Sequence, residues 1–86
     1  MAALTLSYFA WVREAMGQPV EQVDLPDSVS TIAGLIHWLA ERDAPGAAAF
    51  ADPSRIRAAR DGVMAQPDTA LAGAAEVSLF PPVTGG

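Results

Sequence analysis

Only one part of the chain has apolar residues at helical spacing, and the alternating patterns typical of strands lie on both sides of it. The helical positions are Ile32, Leu35, Ile36 and Leu39. This spacing predicts one amphipathic helix of about three turns. It should begin at a Ser or Thr N-cap within residues 28–31 and end near Arg42. A single amphipathic helix buries its apolar stripe by lying across a sheet, so strands must supply the other half of the core.

Alternating apolar and polar residues elsewhere predict a sheet of about four to five strands. The expected strands cover residues 3–12, 20–25, 55–60, 63–65 and 76–80. The first two should form a hairpin through a short turn at residues 13–17, and Asp61-Gly62 predicts a second hairpin turn. Residues 44–52 lack a clear period and predict a loop anchored by Phe50. This order of elements predicts an α+β roll of the β-grasp, ubiquitin-like kind, with a mixed sheet and one main helix.

Length, charge and the absence of cysteine exclude several classes of function. The 86 residues suit one domain, expected over residues 1–80. Ten Asp or Glu against five Arg and no Lys give a formal net charge of −5, which disfavours nucleic acid and favours basic partner surfaces. Without cysteine there is no disulfide, thiolate metal site or cysteine nucleophile. We find no signal-peptide pattern and no apolar segment of transmembrane length, so we expect a cytoplasmic protein that does not bind membranes.

Few side chains could catalyse a reaction. His37, the only histidine, lies roughly 140° from Ile32 on a helical wheel, which predicts a solvent-facing residue. Trp38 falls at the border of the apolar stripe and should form a half-buried edge of the core. Asp61 fits turn chemistry better than acid catalysis. We therefore expect no metal site, and we expect that the chain is not an enzyme by itself.

The C-terminal residues offer a different kind of chemistry. Pro81-Pro82 should stop the last strand, and residues 81–86 should form a flexible tail that ends in Gly85-Gly86. Terminal glycines alone most often mark a frayed end. A six-residue tail can also extend about 20 Å into a channel too narrow for side chains. Activation of its carboxylate as an acyl-adenylate would let a sulfur donor convert that carboxylate to a thiocarboxylate.

Aromatic residues predict a binding surface beside this tail. Phe9 and Trp11 alternate onto the strand face opposite the core, and Phe80 does the same on the last strand. If those strands are neighbours, as in a β-grasp domain, the rings form an exposed patch, and such patches mark binding surfaces. We expect Phe9, Phe80 and Arg13 to contact a partner. Trp11 either joins them or is covered by residues 44–52.

Both ends of the chain resemble one family. Residues 80–86, with the sequence FPPVTGG, resemble the C-terminal signature of the small subunit of molybdopterin synthase, the MoaD-type sulfur carriers. Residues 8–14, with the sequence YFAWVRE, resemble the first strand of that family and the turn after it. The turn at residues 60–62 departs from the asparagine-containing segment expected there. That difference concerns the central hairpin and partner specificity, not the tail.

The resemblance implies a cycle of sulfur transfer. A ubiquitin-activating-like adenylyltransferase would use ATP to adenylate Gly86, and a sulfur donor protein would convert it to a thiocarboxylate. The tail would then enter the large synthase subunit, where its sulfur builds the dithiolene of molybdopterin from cyclic pyranopterin monophosphate. The inserted residues would be Pro81, Pro82, Val83, Thr84 and Gly85. The family suggests two small and two large subunits, catalytic side chains on the large subunit, and no permanently bound cofactor on the small one.

Three other functions fit the same sequence. One is a β-grasp sulfur carrier for thiamine or cysteine biosynthesis, which shares the terminal glycines. Another is a ubiquitin-like modifier that is joined through Gly86 to lysines of target proteins. The third is an interaction module whose tail is inert. The sequence leaves open the final metal, molybdenum or tungsten, and the identity of the sulfur donor.

Overall fold

The computed structural model describes residues 2–82, in which strands and helices are distributed along the whole length. Within this range the strands are β1 (Ala2–Tyr8), β2 (Val20–Leu25), β3 (Arg57–Arg60), β4 (Val63–Ala65) and β5 (Glu76–Phe80). The α-helices are α1 (Ala10–Met16), α2 (Ile32–Arg42) and α3 (Ala44–Ala49), and a 3-10 turn covers Pro53–Arg55.

The strands form one mixed sheet in the order β2-β1-β5-β3-β4. Strand β1 pairs antiparallel with β2 and parallel with β5, and β3 pairs antiparallel with both β5 and β4. The C-terminal strand β5 is therefore central and has a neighbour on each side. This five-stranded α+β arrangement confirms the predicted fold class and the mixed sheet.

Helix α2 begins and ends where the sequence predicts. The Thr31 hydroxyl caps it by accepting a hydrogen bond from the Gly34 amide at 3.1 Å, which satisfies one of the amides that lack a partner in a first turn. Its four stripe residues are buried in the core with apolar residues of the sheet; they are Ile32, Leu35, Ile36 and Leu39. Two further predictions about this helix are confirmed, since His37 is exposed and Trp38 is half-buried.

The predicted strand over residues 3–12 is wrong beyond Tyr8. The chain turns at Ala10, with φ of 53°, and continues as α1, so a helix rather than a short turn joins β1 to β2. Val12 and Met16 are four residues apart and are both buried, which is the spacing of one helix face. Alternation along a strand over residues 3–12 would place Ala10 on the same face as Tyr8, but Ala10 is exposed. Gly17 ends the helix in the left-handed conformation, with its amide donating to the Arg13 carbonyl.

The predicted loop at residues 44–52 is also wrong in part, because its first half is helix α3. The Asp43 carboxylate accepts a hydrogen bond from the Gly46 amide at 2.8 Å, and Pro45 occupies an early helical position where no amide is needed. Phe50 ends the helix and is 1% exposed, so its predicted anchoring role is confirmed. After the 3-10 turn, β3 starts two residues later than expected.

The hairpin between β3 and β4 has the predicted turn. Asp61 and Gly62 have φ of 49° and 84°, the two positive values that a type I′ turn requires. The Asp61 carboxylate also accepts hydrogen bonds from the Ala75 and Glu76 amides, which holds the start of β5. No helix within residues 2–82 is long and apolar enough to cross a membrane.

Candidate partner-binding site

The base of the C-terminal tail is held at the centre of the sheet. Val77 and Leu79 of β5 are fully buried, and the Phe9 amide donates to the Leu79 carbonyl at 3.2 Å. Strand β5 ends at Phe80, because the prolines that follow have no amide to continue the pairing. The position from which the tail leaves the domain is therefore fixed by β1 on one side and β3 on the other.

Phe9 and Phe80 lie close together at this end of the sheet. In the parallel register Tyr8 stands opposite Leu79, so the next residue of each chain segment is one of the two phenylalanines. Phe9 is 48% exposed and Phe80 is partly exposed, as are Pro81 and Pro82. The described part of the chain thus presents apolar side chains to solvent where the tail begins. Contact of these residues with a partner stays a prediction.

Trp11 and Arg13 lie on α1, and their surroundings differ from those of Phe9. The Trp11 ring is half-buried, and the Arg55 guanidinium stacks over it 4.9 Å from the ring centroid. Trp11 is thus covered by Arg55 of the 3-10 turn, which directly follows residues 44–52, the loop expected to cover it. Arg13 is exposed on the helix surface. Alternation along a strand does not predict the environment of Trp11, because Trp11 lies on helix α1.

A residue that the sequence analysis missed lies beside Phe80. Arg57 is directly opposite Phe80 in the antiparallel β3–β5 pair, so the two side chains project from the same face of the sheet. Arg57 is exposed, and one of its terminal nitrogens donates to the carbonyls of Ser54 and Ile56, each at 3.2 Å. The signal that could have identified Arg57 is its position opposite Phe80, the last strand residue before the tail. That signal requires the register of β3 and β5, which the sequence did not predict.

A polar network supports this end of the domain from within. The Tyr8 hydroxyl donates to Glu21 at 2.7 Å, and Arg42 donates two hydrogen bonds to the same carboxylate, at 2.8 and 3.1 Å. Burial, together with the hydrogen bond to Glu21, raises the pKa of Tyr8 well above its usual value. The hydrogen bond to Glu21 likewise raises the pKa of Arg42. The network joins β1, β2 and α2, so it stabilises the fold rather than offering a reactive group.

The described residues show no arrangement typical of a catalytic centre. No group of three or more acidic or histidine side chains within residues 2–82 is placed to hold a metal ion. One groove there, about 540 Å³, is lined mainly by apolar side chains such as Ile36 and Ile56. His37 is exposed and pairs with Glu41 at 3.2 Å on the outer surface of α2. None of these features joins a base to a nucleophile.

Four of the predicted tail residues lie outside the described range. They are Val83, Thr84, Gly85 and Gly86. Their roles as inserted stem and sulfur-bearing end therefore stay predictions from the sequence. What the structure adds is the place where they are attached, which is the centre of the sheet beside Phe9, Phe80 and Arg57.

Comparison with solved structures agrees with this fold. Two crystal structures from Haloferax volcanii, one of SAMP1 and one of small archaeal modifier protein 1, each share 28% identity with the chain at a TM-score of 0.72. They cover 99% and 96% of this chain and are themselves covered completely, at 100%. A putative molybdopterin converting factor, subunit 1, from Pyrococcus furiosus has a TM-score of 0.69 at 21% identity, with 96% of this chain and 100% of that one covered. These neighbours are β-grasp proteins.

Comparison at the level of sequence identifies the family. No curated protein is significantly similar to the chain. The family model described as the ThiS family matches residues 6–86, which includes the end of β1, every later element and the terminal glycines. The chain therefore belongs to the ThiS family of ubiquitin-like sulfur carriers.

Proposed function

We propose that this chain is the sulfur-carrier subunit of a molybdopterin synthase and that Gly86 bears the sulfur. The observation that carries the proposal is the attachment of the FPPVTGG segment to the buried central strand β5, beside the exposed Phe9. A strand paired on both sides is a rigid base for a tail that must enter another protein. Membership of the ThiS family supports the sulfur-carrier part of the proposal.

The chemistry begins at the terminal carboxylate. One of its oxygens attacks the α-phosphate of ATP on the activating enzyme, which releases pyrophosphate and leaves an acyl-adenylate. Hydrosulfide supplied by the donor then attacks the acyl carbon, AMP departs as the leaving group, and loss of the S–H proton leaves the thiocarboxylate. The resulting thiocarboxylate carries the sulfur to cyclic pyranopterin monophosphate. Because the chain has no cysteine, this terminal group is where it would hold transferable sulfur.

The partners supply what this chain lacks. We propose three of them, namely an adenylyltransferase that uses ATP, a sulfur donor protein and the large synthase subunit, with two small and two large subunits in the synthase. Catalytic side chains belong to these partners. Exposed Phe9 and Arg13, with Phe80, are the residues of this chain that would contact them.

A second candidate function has support from a specific observation. The chain is 28% identical to small archaeal modifier protein 1 over almost its whole length. As a modifier, the chain would be joined through Gly86 to lysine amines of target proteins, and its own lack of lysine would prevent chains from forming on its side chains. A carrier for thiamine or cysteine biosynthesis is a third candidate within the same family.

The test compares the full chain with a variant that lacks Gly86. Each is incubated with the activating enzyme, ATP and a sulfur source, and its intact mass is measured. The full chain should gain the mass difference of one oxygen replaced by sulfur, and the truncated chain should not. Circular dichroism should be the same for both, since the deletion removes no residue of the helices and strands described within residues 2–82. Full molybdopterin formation by the truncated chain in a reconstituted synthase contradicts the proposal.

Immunoblots of cell extracts separate the two leading candidates. A carrier should be present only as the free protein. Bands of higher mass that disappear with the Gly86 deletion indicate conjugation to targets and favour the modifier.

A further inference from the structure

Two of the five arginines are occupied within the fold. Arg42 pairs with Glu21 and Asp43, at 2.8 and 3.1 Å. Arg60 lies 3.8 Å from Asp61 and also donates hydrogen bonds to backbone carbonyls of the segment before β5. Both guanidinium groups pair with carboxylates of this chain, so their charge is partly neutralised within the fold.

The other three arginines have no ion pair within residues 2–82, and they share one end of the sheet. Arg57 stands opposite Phe80, the last residue of β5. Arg55 precedes β3 by two residues and covers Trp11 on α1. Arg13 lies on α1, the helix that leaves β1 at this same end. All three are exposed, and each lies on or next to an element at the end of the sheet where β5 ends.

Charge is therefore distributed unevenly over the molecule. The elements that carry these three arginines, with the loop before the 3-10 turn, contain two carboxylates, Glu14 and Asp52. Arg60 is also on β3, so the remainder of the chain has one arginine, Arg42, against eight acidic residues. Several of the eight lie at the opposite end of the sheet, namely Asp24, Asp27, Asp61 and Glu76. At the tail end Glu21 and Asp43 pair with Arg42, and the charged groups there that have no ion pair within residues 2–82 are the three arginines and two carboxylates. We call this end the basic end because of that excess, although the net charge of the protein is −5.

The length of the tail brings this basic end into contact with any protein that receives it. Residues 83–86 can extend at most about 14 Å beyond Pro82. An enzyme that binds the Gly86 carboxylate inside a channel must therefore place the entrance of that channel against Phe9, Phe80 and Arg57. Carboxylates on such an entrance would complement the three guanidinium groups.

We propose that the partner that receives the tail carries acidic residues around an apolar channel entrance, and that Arg57 is the residue that recognises them. This inference rests on the proposed function, because it needs a partner that takes up the tail. It reverses the expectation from overall charge, which is attraction to a basic surface. The basic end orients the carrier so that its tail approaches first, while the acidic end is repelled.

The test compares Arg57→Gln with Ser28→Asp. Both variants change the net charge from −5 to −6, but exposed Ser28 lies in the loop after β2, at the acidic end. Association rate constants are measured from low to high salt with two recombinant partners, the large synthase subunit and the adenylating enzyme. At low salt, Arg57→Gln should slow association with at least one of them by about three- to tenfold, and Ser28→Asp by less than twofold. The difference should shrink as salt screens the charges.

Arg57→Lys separates charge from structure. Lysine keeps the positive charge but loses the planar group that donates to the Ser54 and Ile56 carbonyls. Arg57→Lys should keep at least half of the wild-type association rate at low salt. If it is slowed as much as Arg57→Gln, the role of Arg57 is structural and the proposal fails.

Other outcomes distinguish this proposal from the one on which it rests. If the wild-type chain gains sulfur but Arg57→Gln and Ser28→Asp associate at equal rates, the acidic entrance is wrong and the carrier function stands. If the wild-type chain is neither bound nor loaded by the two partners, both proposals fail. If sedimentation shows that the chain alone dimerises at low salt and that Arg57→Gln abolishes this, the basic end binds a second copy and the proposal is overturned.

Discussion

Replacing Gly46 by alanine tests how closely α3 packs against the end of α2. A Cβ atom at this position would lie 1.9 Å from the Leu39 carbonyl oxygen and 2.9 Å from its carbon. Both are backbone atoms of α2, so no rotation of a side chain can relieve the overlap. It would also lie 3.0 Å from the Asp43 oxygen that caps α3. Helix α3 must therefore move away from α2, and buried Phe50 must move with it.

The expected cost is about 3 kcal/mol. Overpacking against rigid atoms costs up to about 3 kcal/mol. Loss of the Asp43 cap removes about 1 kcal/mol more, while the higher helix propensity of alanine returns a similar amount. A domain of this length has a total stability of roughly 4–13 kcal/mol, so the substitution should remove a large part of it.

Urea unfolding followed by far-ultraviolet circular dichroism measures the difference. Gly34→Ala is the matched control, because Gly34 lies in α2 and the added Cβ would meet the Thr31 hydroxyl at 3.3 Å, a contact that a side chain can relieve. Its free energy of unfolding should stay within about 1 kcal/mol of wild type. A Gly46→Ala protein equally close to wild type would refute the close approach of the two helices.

Two further predictions concern Tyr8 and Phe9. Tyr8 is the only tyrosine, so tyrosinate absorbance reports on it alone. In the folded protein its hydroxyl should stay un-ionised well above pH 10. Because the pKa of Tyr8 is raised in the folded state, the contribution of un-ionised Tyr8 to the free energy of unfolding is complete below pH 10.0 and is lost as the pH rises further. If Tyr8 of the folded wild-type chain titrates near pH 10, the buried Tyr8–Glu21 contact is contradicted. Phe9→Ser should weaken binding of the partner about tenfold, whereas Val63→Ser, which alters an exposed residue at the other end of the sheet, should not. Equal affinities measured by calorimetry would remove Phe9 from the interface.

The parts of the fold that the sequence predicts are those with strong local signals. Helix α2 has a complete apolar stripe, and Thr31 supplies its cap. Strand β5 alternates cleanly and is stopped by prolines. Asp61-Gly62 is among the few pairs that favour two consecutive positive φ values. In each case the local preference and the tertiary packing favour the same structure.

The two short helices were missed for physical reasons that can be named. Tyr8 and Val12 are four residues apart, and this spacing fits both a strand face and a helix face. Nothing about Ala10 signals the positive φ at which β1 turns into α1, because alanine rarely adopts that conformation. Helix α3 has only six residues, too few to show a period, and Gly46 suggested a loop. Its lack of a side chain instead permits contact with α2.

The candidate site was predictable where it depended on the order of strands and not where it depended on register. A β-grasp order makes the first and last strands neighbours, which brings Phe9 to Phe80. The position of Arg57 depends on which residue of β3 stands opposite Phe80. A shift of one residue would place Arg57 on the opposite face of the sheet. No pattern within residues 55–60 fixes that register, so only the paired strands reveal Arg57.

Because β5 is the central strand, the residues that hold the base of the tail are different from the terminal residue that would carry sulfur. Strand β5 has backbone hydrogen bonds to β1 on one side and to β3 on the other, and both sets resist fraying. A C-terminal strand at the edge of a sheet would have such bonds on one side only. The proposed reactive group is six residues beyond Phe80 in the sequence, and the core residues disturbed by a substitution such as Gly46→Ala lie within residues 2–82. Gly46→Ala should therefore lower stability yet still be loaded with sulfur at temperatures where it is folded. Deletion of Gly86 should have the opposite effect, a stable domain that cannot be loaded. A single variant that combined both losses would show that the tail and the core are coupled.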